Sequence, residues 1–433
     1  MTGRAADRTV APRAATGGGE RGGALAAAAT EAGTALRHKR ATVALLAAML
    51  IVHNAQRMGV VTVFDPLRAR YGTDYGGVGT LFSAYVFGYA LFQSVVGLFG
   101  DRFNAKWLLL SGLALSAAFS VVFAGTHSYA VALVSRFLLG ATGALLYTPA
   151  FKMGITLFAP QERGRVLGIL QAGAGIGSSG AMIAVPFFAG LLGLTGGFLT
   201  LPVVAIAVLA LAFAVLPDAP ALPAPSRAEG DIGVTRRPDF WQLLAISLIG
   251  MLAAYGLLTW LPTFLTHTFN YSTVKAGTFS SVSNIALLIA APVVGMAADL
   301  PRGRAGVVVG GSVLAAISFA LMIVSGNVAL VLGVAVLIGI SLSATTAPMM
   351  LFAGERFDRR QTARVVGLMS MAAQLGATLA GTVFGVVLAR GGSFRMIWVA
   401  CAVLALIRLA VLANLVWRDR AARIASGRVA RAA

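Results

Sequence analysis

A chain of 433 residues that is 58% hydrophobic, only 11% charged and has a mean hydropathy of +0.85 is too apolar for an ordinary soluble domain. Its net charge of +19 is scattered over short loops, which argues against a nucleic-acid partner, because such a surface gathers its basic residues into one patch. Apolar stretches of about 20 residues recur from Ala41 to Trp417 without the short alternating segments of a β-barrel, so an all-α membrane protein in a lipid bilayer is expected.

In chain order, residues 1–40, rich in Ala, Gly and Arg, read as a disordered tail, and "ALAAAAT" is too short for a signal peptide. Hydropathy then predicts twelve transmembrane helices over 41–64, 77–99, 107–125, 129–158, 164–190, 198–216, 241–264, 276–299, 305–325, 328–352, 364–387 and 394–417. Between the sixth and seventh, residues 217–240 are rich in Pro and charge and read as a linker between two six-helix bundles, 41–216 and 241–417. Residues 418–433 form a second tail. With the N-terminus inside, the inner segments carry 25 Lys and Arg and the outer loops 5, which places both termini in the cytoplasm and the chain in the plasma membrane. The lone cysteine, Cys401, lies in the last span and permits no intrachain disulfide.

The two halves repeat. "GLFGDRFNAK" at Gly97 returns as "GMAADLPRGR" at Gly295, matching Asp101 with Asp299; "RVLG" at Arg165 returns as "RVVG" at Arg364; "YTPAF" around Pro149 returns as "TAPMM" around Pro348. Parallel six-helix repeats joined by a polar linker are a transporter architecture, with the substrate site near the midplane between the halves.

These segments resemble the major facilitator superfamily over residues 41 to 417. "GLFGDRFNAK" resembles its loop signature G-x-x-x-D-R-x-G-R-K, with Asn104 and Ala105 replacing Gly and a basic residue. "RFLLGATGA" from Arg136 resembles the fourth-helix motif, and "FAPQERGRVLG" the loop into helix five. Arg57, Arg136 and "LLTWLPTFL" from Leu257 are similar to the anion:cation symporter branch, whose substrates are organic anions. The resemblance implies a pseudo-symmetric major facilitator fold and alternating access. It also implies a gate in which Asp101, with Arg102, latches onto the start of helix eleven near Arg364, with Asp299 as its counterpart. Proton-coupled members often carry an Asp before the helix-one Arg and a Glu after the helix-four Arg. Gln56 and Gly143 stand at those positions here.

Within "IVHNAQRMGVV", Arg57 is expensive at a helix centre, roughly 2.5 to 3.5 kcal/mol on insertion scales, and so faces a cavity or a partner unless it snorkels. His53 lies one turn away on the same face, with Asn54 flanking. His53 reads equally as a neutral lining residue or as the titrating group for a coupling proton. On the fourth span Arg136, Gly140, Gly143 and Tyr147 share a face, and the glycines suit close packing. All 15 acidic residues fall in tails, loops or helix ends, so the two arginines should favour an anion. Gln171, Tyr255, Asn284 and Gln374 are further candidate lining residues, each equally readable as a helix-to-helix hydrogen bond. Arg408, on the peripheral last span, is expected to snorkel. "GAGIGSSG" matches a dinucleotide fingerprint formally but lies inside helix five without a preceding strand. No metal site, cofactor or catalytic triad is expected.

A monomeric secondary transporter moving a small organic anion is therefore expected, with Arg57 and Arg136 as anchors. Drug efflux is the alternative, and a non-transporting membrane sensor the reading from another class.

Overall fold

The computed structural model describes residues 39–218, 232–300 and 303–432; within these, the side chains of residues 98, 101, 232, 233, 359, 360, 363 and 419–432 lie outside the description. Eleven of the described helices are long and apolar enough to cross a membrane, and one is two spans in series. The twelve helices are α1 (Lys39–Tyr71), α2 (Tyr75–Phe99), α3 (Ala105–Gly125), α4 (Tyr129–Thr156), α5 and α6 (together Pro160–Val215), α7 (Pro238–Phe269), α8 (Thr273–Asp299), α9 (Gly303–Ile323), α10 (Val328–Gly354), α11 (Arg359–Ala389) and α12 (Phe394–Ala432).

Local chemistry explains several boundaries. Asp74, Asn104 and Asn327 cap α2, α3 and α10 by accepting from the backbone N–H groups of Gly77, Lys106 and Leu330. Pro238 opens α7, where its missing N–H is harmless, and Asn270 ends it with φ 52.

Several helices differ from the expected spans. The first runs on past residue 64 to Tyr71, interrupted by a 3-10 turn at Val61–Val63. α5 and α6 have no loop between them; the chain turns at the single residue Gly193, whose φ of 73 disfavours any side chain. α10 breaks at Thr346 (φ −96, ψ −90) into Val328–Thr345 and Ala347–Gly354, because Pro348 cannot donate to the helix and crowds the carbonyl one turn back. Its repeat partner Pro149 sits in an unbroken α4. The expectation for the first tail falls on residues outside the description up to His38, whereas the second tail continues α12 as helix to Ala432.

The apolar core shows how the halves meet. One cluster contains residues of both, among them Phe64, Phe82 and Phe123 with Trp260, Phe319 and Trp398. At the opposite end, where α7 begins and the C-terminal part of α12 lies, the cores are separate. Leu46, Leu109 and Leu170 belong to a cluster of the first half alone, and Phe240, Met349 and Leu412 to one of the second half alone. The molecule is sealed at the far end and divided at the termini end.

Candidate functional site

The far-end seal begins with backbone proximity. A Cβ added to Gly79 on α2 would collide with the carbonyl of Gly381 on α11, so these helices touch through their main chains. Beside them Ser83 donates to the carbonyl of Thr378 and accepts from the Thr382 N–H at 3.0 Å. At the rim, Asp65 of α1 meets His267 of α7 at 3.0 Å, and Tyr75 of α2 donates to Asp65 at 3.0 Å while lying 2.9 Å from His267. Arg68 stacks on Tyr75 at 3.8 Å and pairs with Asp65 at 3.4 Å. The sequence reading missed this latch, since Asp65 looked like a helix end and His267 a loop residue 202 positions away.

Inside the seal, the polar arc of α1 is buried. His53 is 1% exposed and Arg57 8%. Arg57 places its guanidinium over the Tyr255 ring of α7 at 4.7 Å, joining the two halves, yet its Nε and Nη2 have no hydrogen-bond partner. A desolvated cation held by one aromatic face retains most of its donor capacity. The neighbouring Gln56 also keeps both side-chain polar atoms unpaired.

His53 lies among aromatic rings. Its ring centroid is 5.0 Å from that of Tyr89 and 6.1 Å from that of Tyr147, and the Tyr85 hydroxyl is 2.9 Å from its Nδ1 and 2.8 Å from its carbonyl oxygen. If the phenolic proton goes to the carbonyl, Nδ1 bears the ring proton and Nε2 is left as acceptor. Gly143 makes room for the ring: a Cβ there would run into His53 Nδ1 and approach the Tyr85 hydroxyl. Tyr147 stacks on Phe151 at 4.7 Å and donates to Gln171 at 3.3 Å, with Gln171 itself exposed. Tyr85 and Tyr89 were missed, although "FSAYVFGYA" sets them one helical turn apart.

Arg136 is placed differently from Arg57. It is 2% exposed inside the first half, and it donates to the carbonyls of Leu81 (3.2 Å), Gln56 (2.7 Å) and Arg57 (3.4 Å) while stacking on Tyr85 at 4.6 Å. The helical run of α1 gives way at Gly59, so the last carbonyls before the break are the negative end of a helix, and Arg136 caps them. Each of its three nitrogens donates to a protein carbonyl.

Other candidates scatter. Asn54 donates to Leu50 on its own helix, and Asn284 reaches the Met182 sulfur at 3.7 Å, tying α8 to α5. Gln374 is half-buried on α11. Arg102, Asp299 and Arg364 lie exposed at the termini end, and the Asp101 side chain falls outside the description. Arg408 departs from its expected snorkelling and is 6% exposed. Among the described residues no group of His, Cys, Asp and Glu could hold a metal.

The sequence profile of the Major Facilitator Superfamily matches residues 45–377 and again 276–431. The chain belongs to the Major Facilitator Superfamily. This is a family of transporters, not enzymes. A relative from Oryza sativa subsp. japonica, "Probable anion transporter 2, chloroplastic", is 24% identical over 318 residues, covering 68% of this chain and 59% of that protein. The chain thus spans about three fifths of the length of that relative. A "Hexuronate transporter" from Bacillus subtilis (strain 168) is 32% identical over 115 residues, 25% of this chain and 27% of the relative. In fold, this superfamily chain is similar to a bacterial homolog of the human lysosomal transporter Spinster in an inward-facing and occupied conformation, with a TM-score of 0.72 and 15% identity over 87% of this chain and 96% of that one.

Proposed function

We propose that this superfamily member carries a small organic anion, a carboxylate or sugar acid, across the cytoplasmic membrane by alternating access. The observation that carries this reading is Arg57, a buried guanidinium at the meeting of the halves with two unpaired nitrogens and no acid beside it. A carboxylate would relieve that charge through two parallel hydrogen bonds. Tyr255 lies against Arg57, Tyr147 lies beside His53 and donates to Gln171, and the names of the plant and Bacillus relatives point to the same substrate class. Arg136 acts behind Arg57 by holding the break in α1, a positioning role in place of a direct contact.

On this reading both termini are cytoplasmic, and the sealed far end faces outward. The divided end opens to the cytoplasm, where Asp101, Arg102, Asp299 and Arg364 form the gate of the opposite state. His53 fills the space that a side chain at residue 143 would take, and it is the group through which a coupling proton would act.

The test is binding of sugar acids, small carboxylates, lipophilic cations and neutral sugars to the purified protein. An anion should bind, and Arg57→Ala should weaken it by about 30-fold to several thousand-fold, since truncating one partner of a desolvated charge pair costs about 2 to 5 kcal/mol. Binding of cations or neutral compounds with affinity untouched by Arg57→Ala would replace the anion reading by drug efflux.

A further inference from the structure

A second buried arginine stands apart from that site. Arg408 comes from α12, the last helix, and packs so tightly on α7 that a Cβ added to Gly250 would lie 2.8 Å from its Nε. That Nε has no hydrogen-bond partner. Two adjoining cavities, of about 60 and about 20 Å³, share Arg408, Gly250, Leu342 and Thr345 in their walls, and no acidic residue lines either. A cation buried to this degree without a counter-charge is expensive, so a partner is to be sought in the space it borders.

The larger cavity has a second positive feature in its wall. The break in α10 at Thr346 starts a new helix, Ala347–Gly354, and Thr346 before it and Met349 and Met350 of its first turn line the same cavity as Arg408. At this start Pro348 has no N–H and Met350 donates to the Thr346 carbonyl, which leaves the N–H groups of Ala347 and Met349 together with the positive end of the helix dipole. Thr346 supplies no side-chain cap for them. Broken membrane helices present such ends to anions. The competing role for Arg408, capping the last carbonyls of Val328–Thr345, would show as guanidinium-to-carbonyl hydrogen bonds like those of Arg136, and no such bond is found among the described residues.

We propose that the second half holds its own anion site, formed by Arg408 and the helix start after Thr346, and sized for a small monovalent anion such as a carboxylate of acetate size or a halide. A cavity of about 60 Å³ has room for such an ion. The site is independent of Arg57, and its existence does not rest on what Arg57 binds.

The test follows thermal unfolding of the full chain purified in detergent, titrated separately with sodium acetate and sodium bromide at an ionic strength held constant with the bulkier sodium methanesulfonate. At least one salt should raise the unfolding midpoint saturably, identically in wild type and Arg57→Ala, and the responding salt distinguishes carboxylate from halide. Arg408→Gln should shift the half-saturating concentration upward by about 30-fold or more. Should Arg408→Gln fail to fold, Met350→Glu tests the same site, since a carboxylate on the cavity wall should occupy it, raise the midpoint without added salt and abolish the titration. No saturable response in wild type, an unchanged titration in Arg408→Gln or Met350→Glu, or a response lost in Arg57→Ala alone would each overturn the proposal.

Discussion

Arg136 donates to the backbone carbonyl of Gln56 at 2.7 Å, so a side chain of α4 completes the hydrogen bonding of α1 where that helix breaks. Its removal leaves the carbonyls of Leu81, Gln56 and Arg57 without this donor and opens a hole in the first half. Arg136→Ala should therefore destabilise the protein by about 3 kcal/mol or more, read as a lower unfolding midpoint in detergent. Arg136→Lys should keep the charge, lose the fork, and leave ligand affinity within about tenfold, whereas Arg57→Lys should lose far more. Equal affinity losses in the two Lys variants would return Arg136 to direct contact with the ligand.

Gly143 and His53 compete for one space. Gly143→Ala should push the imidazole off the Tyr85 hydroxyl and reduce transport, and His53→Ala added to Gly143→Ala should relieve the clash. The double mutant cycle should show a coupling of about 1 to 3 kcal/mol in stability. Additive effects would mean that the ring has room elsewhere.

The Asp65 to His267 contact ties the two halves at the far end. Breaking it by His267→Ala should shift the balance of states toward a far-end opening, with little change in intrinsic affinity. With Thr382→Cys as reporter, a thiol reagent should modify the His267→Ala background several times faster. The native Cys401 is fully buried and gives little background. An unchanged rate would reduce the latch to a surface contact.

The charge count predicts an orientation with both termini in the cytoplasm. His127→Cys, in the exposed turn between α3 and α4, should react with an impermeant reagent applied to intact cells, and Asp358→Cys, just before α11, only after the membrane is opened. The reverse pattern would invert the membrane placement and the assignment of the sealed end.

Twelve spans were legible because a bilayer demands long apolar runs, and no tertiary information is needed to see them. The gap after residue 190 was legible too, though it was read as a loop over 191–197 where Gly193 alone makes the turn, whereas the break at Thr346 was not, because "ATTAPMM" falls inside the one span read over 328–352. Of the site, the cluster of His53 and Arg57 was visible as polar residues out of place. What each arginine touches was invisible, since Arg136 is satisfied by backbone carbonyls, which every residue has. Arg408 was misread for a related reason, because being last in the chain says little about which helices a side chain reaches. The Asp65 to His267 latch joins residues whose nearness exists only once the halves are docked.

The loopless junction at Gly193 has a consequence for the surrounding lipid. α5 packs against α8 of the other half, while α6 turns Leu199, Val203, Ile206, Leu211 and Phe213 outward to the acyl chains. One residue joins them, so there is no slack to absorb relative displacement, and if the halves rock as proposed above, α6 must be dragged through the bilayer with α5. Turnover is then expected to vary with acyl-chain length in reconstituted vesicles. The membrane becomes a mechanical load on the transport cycle.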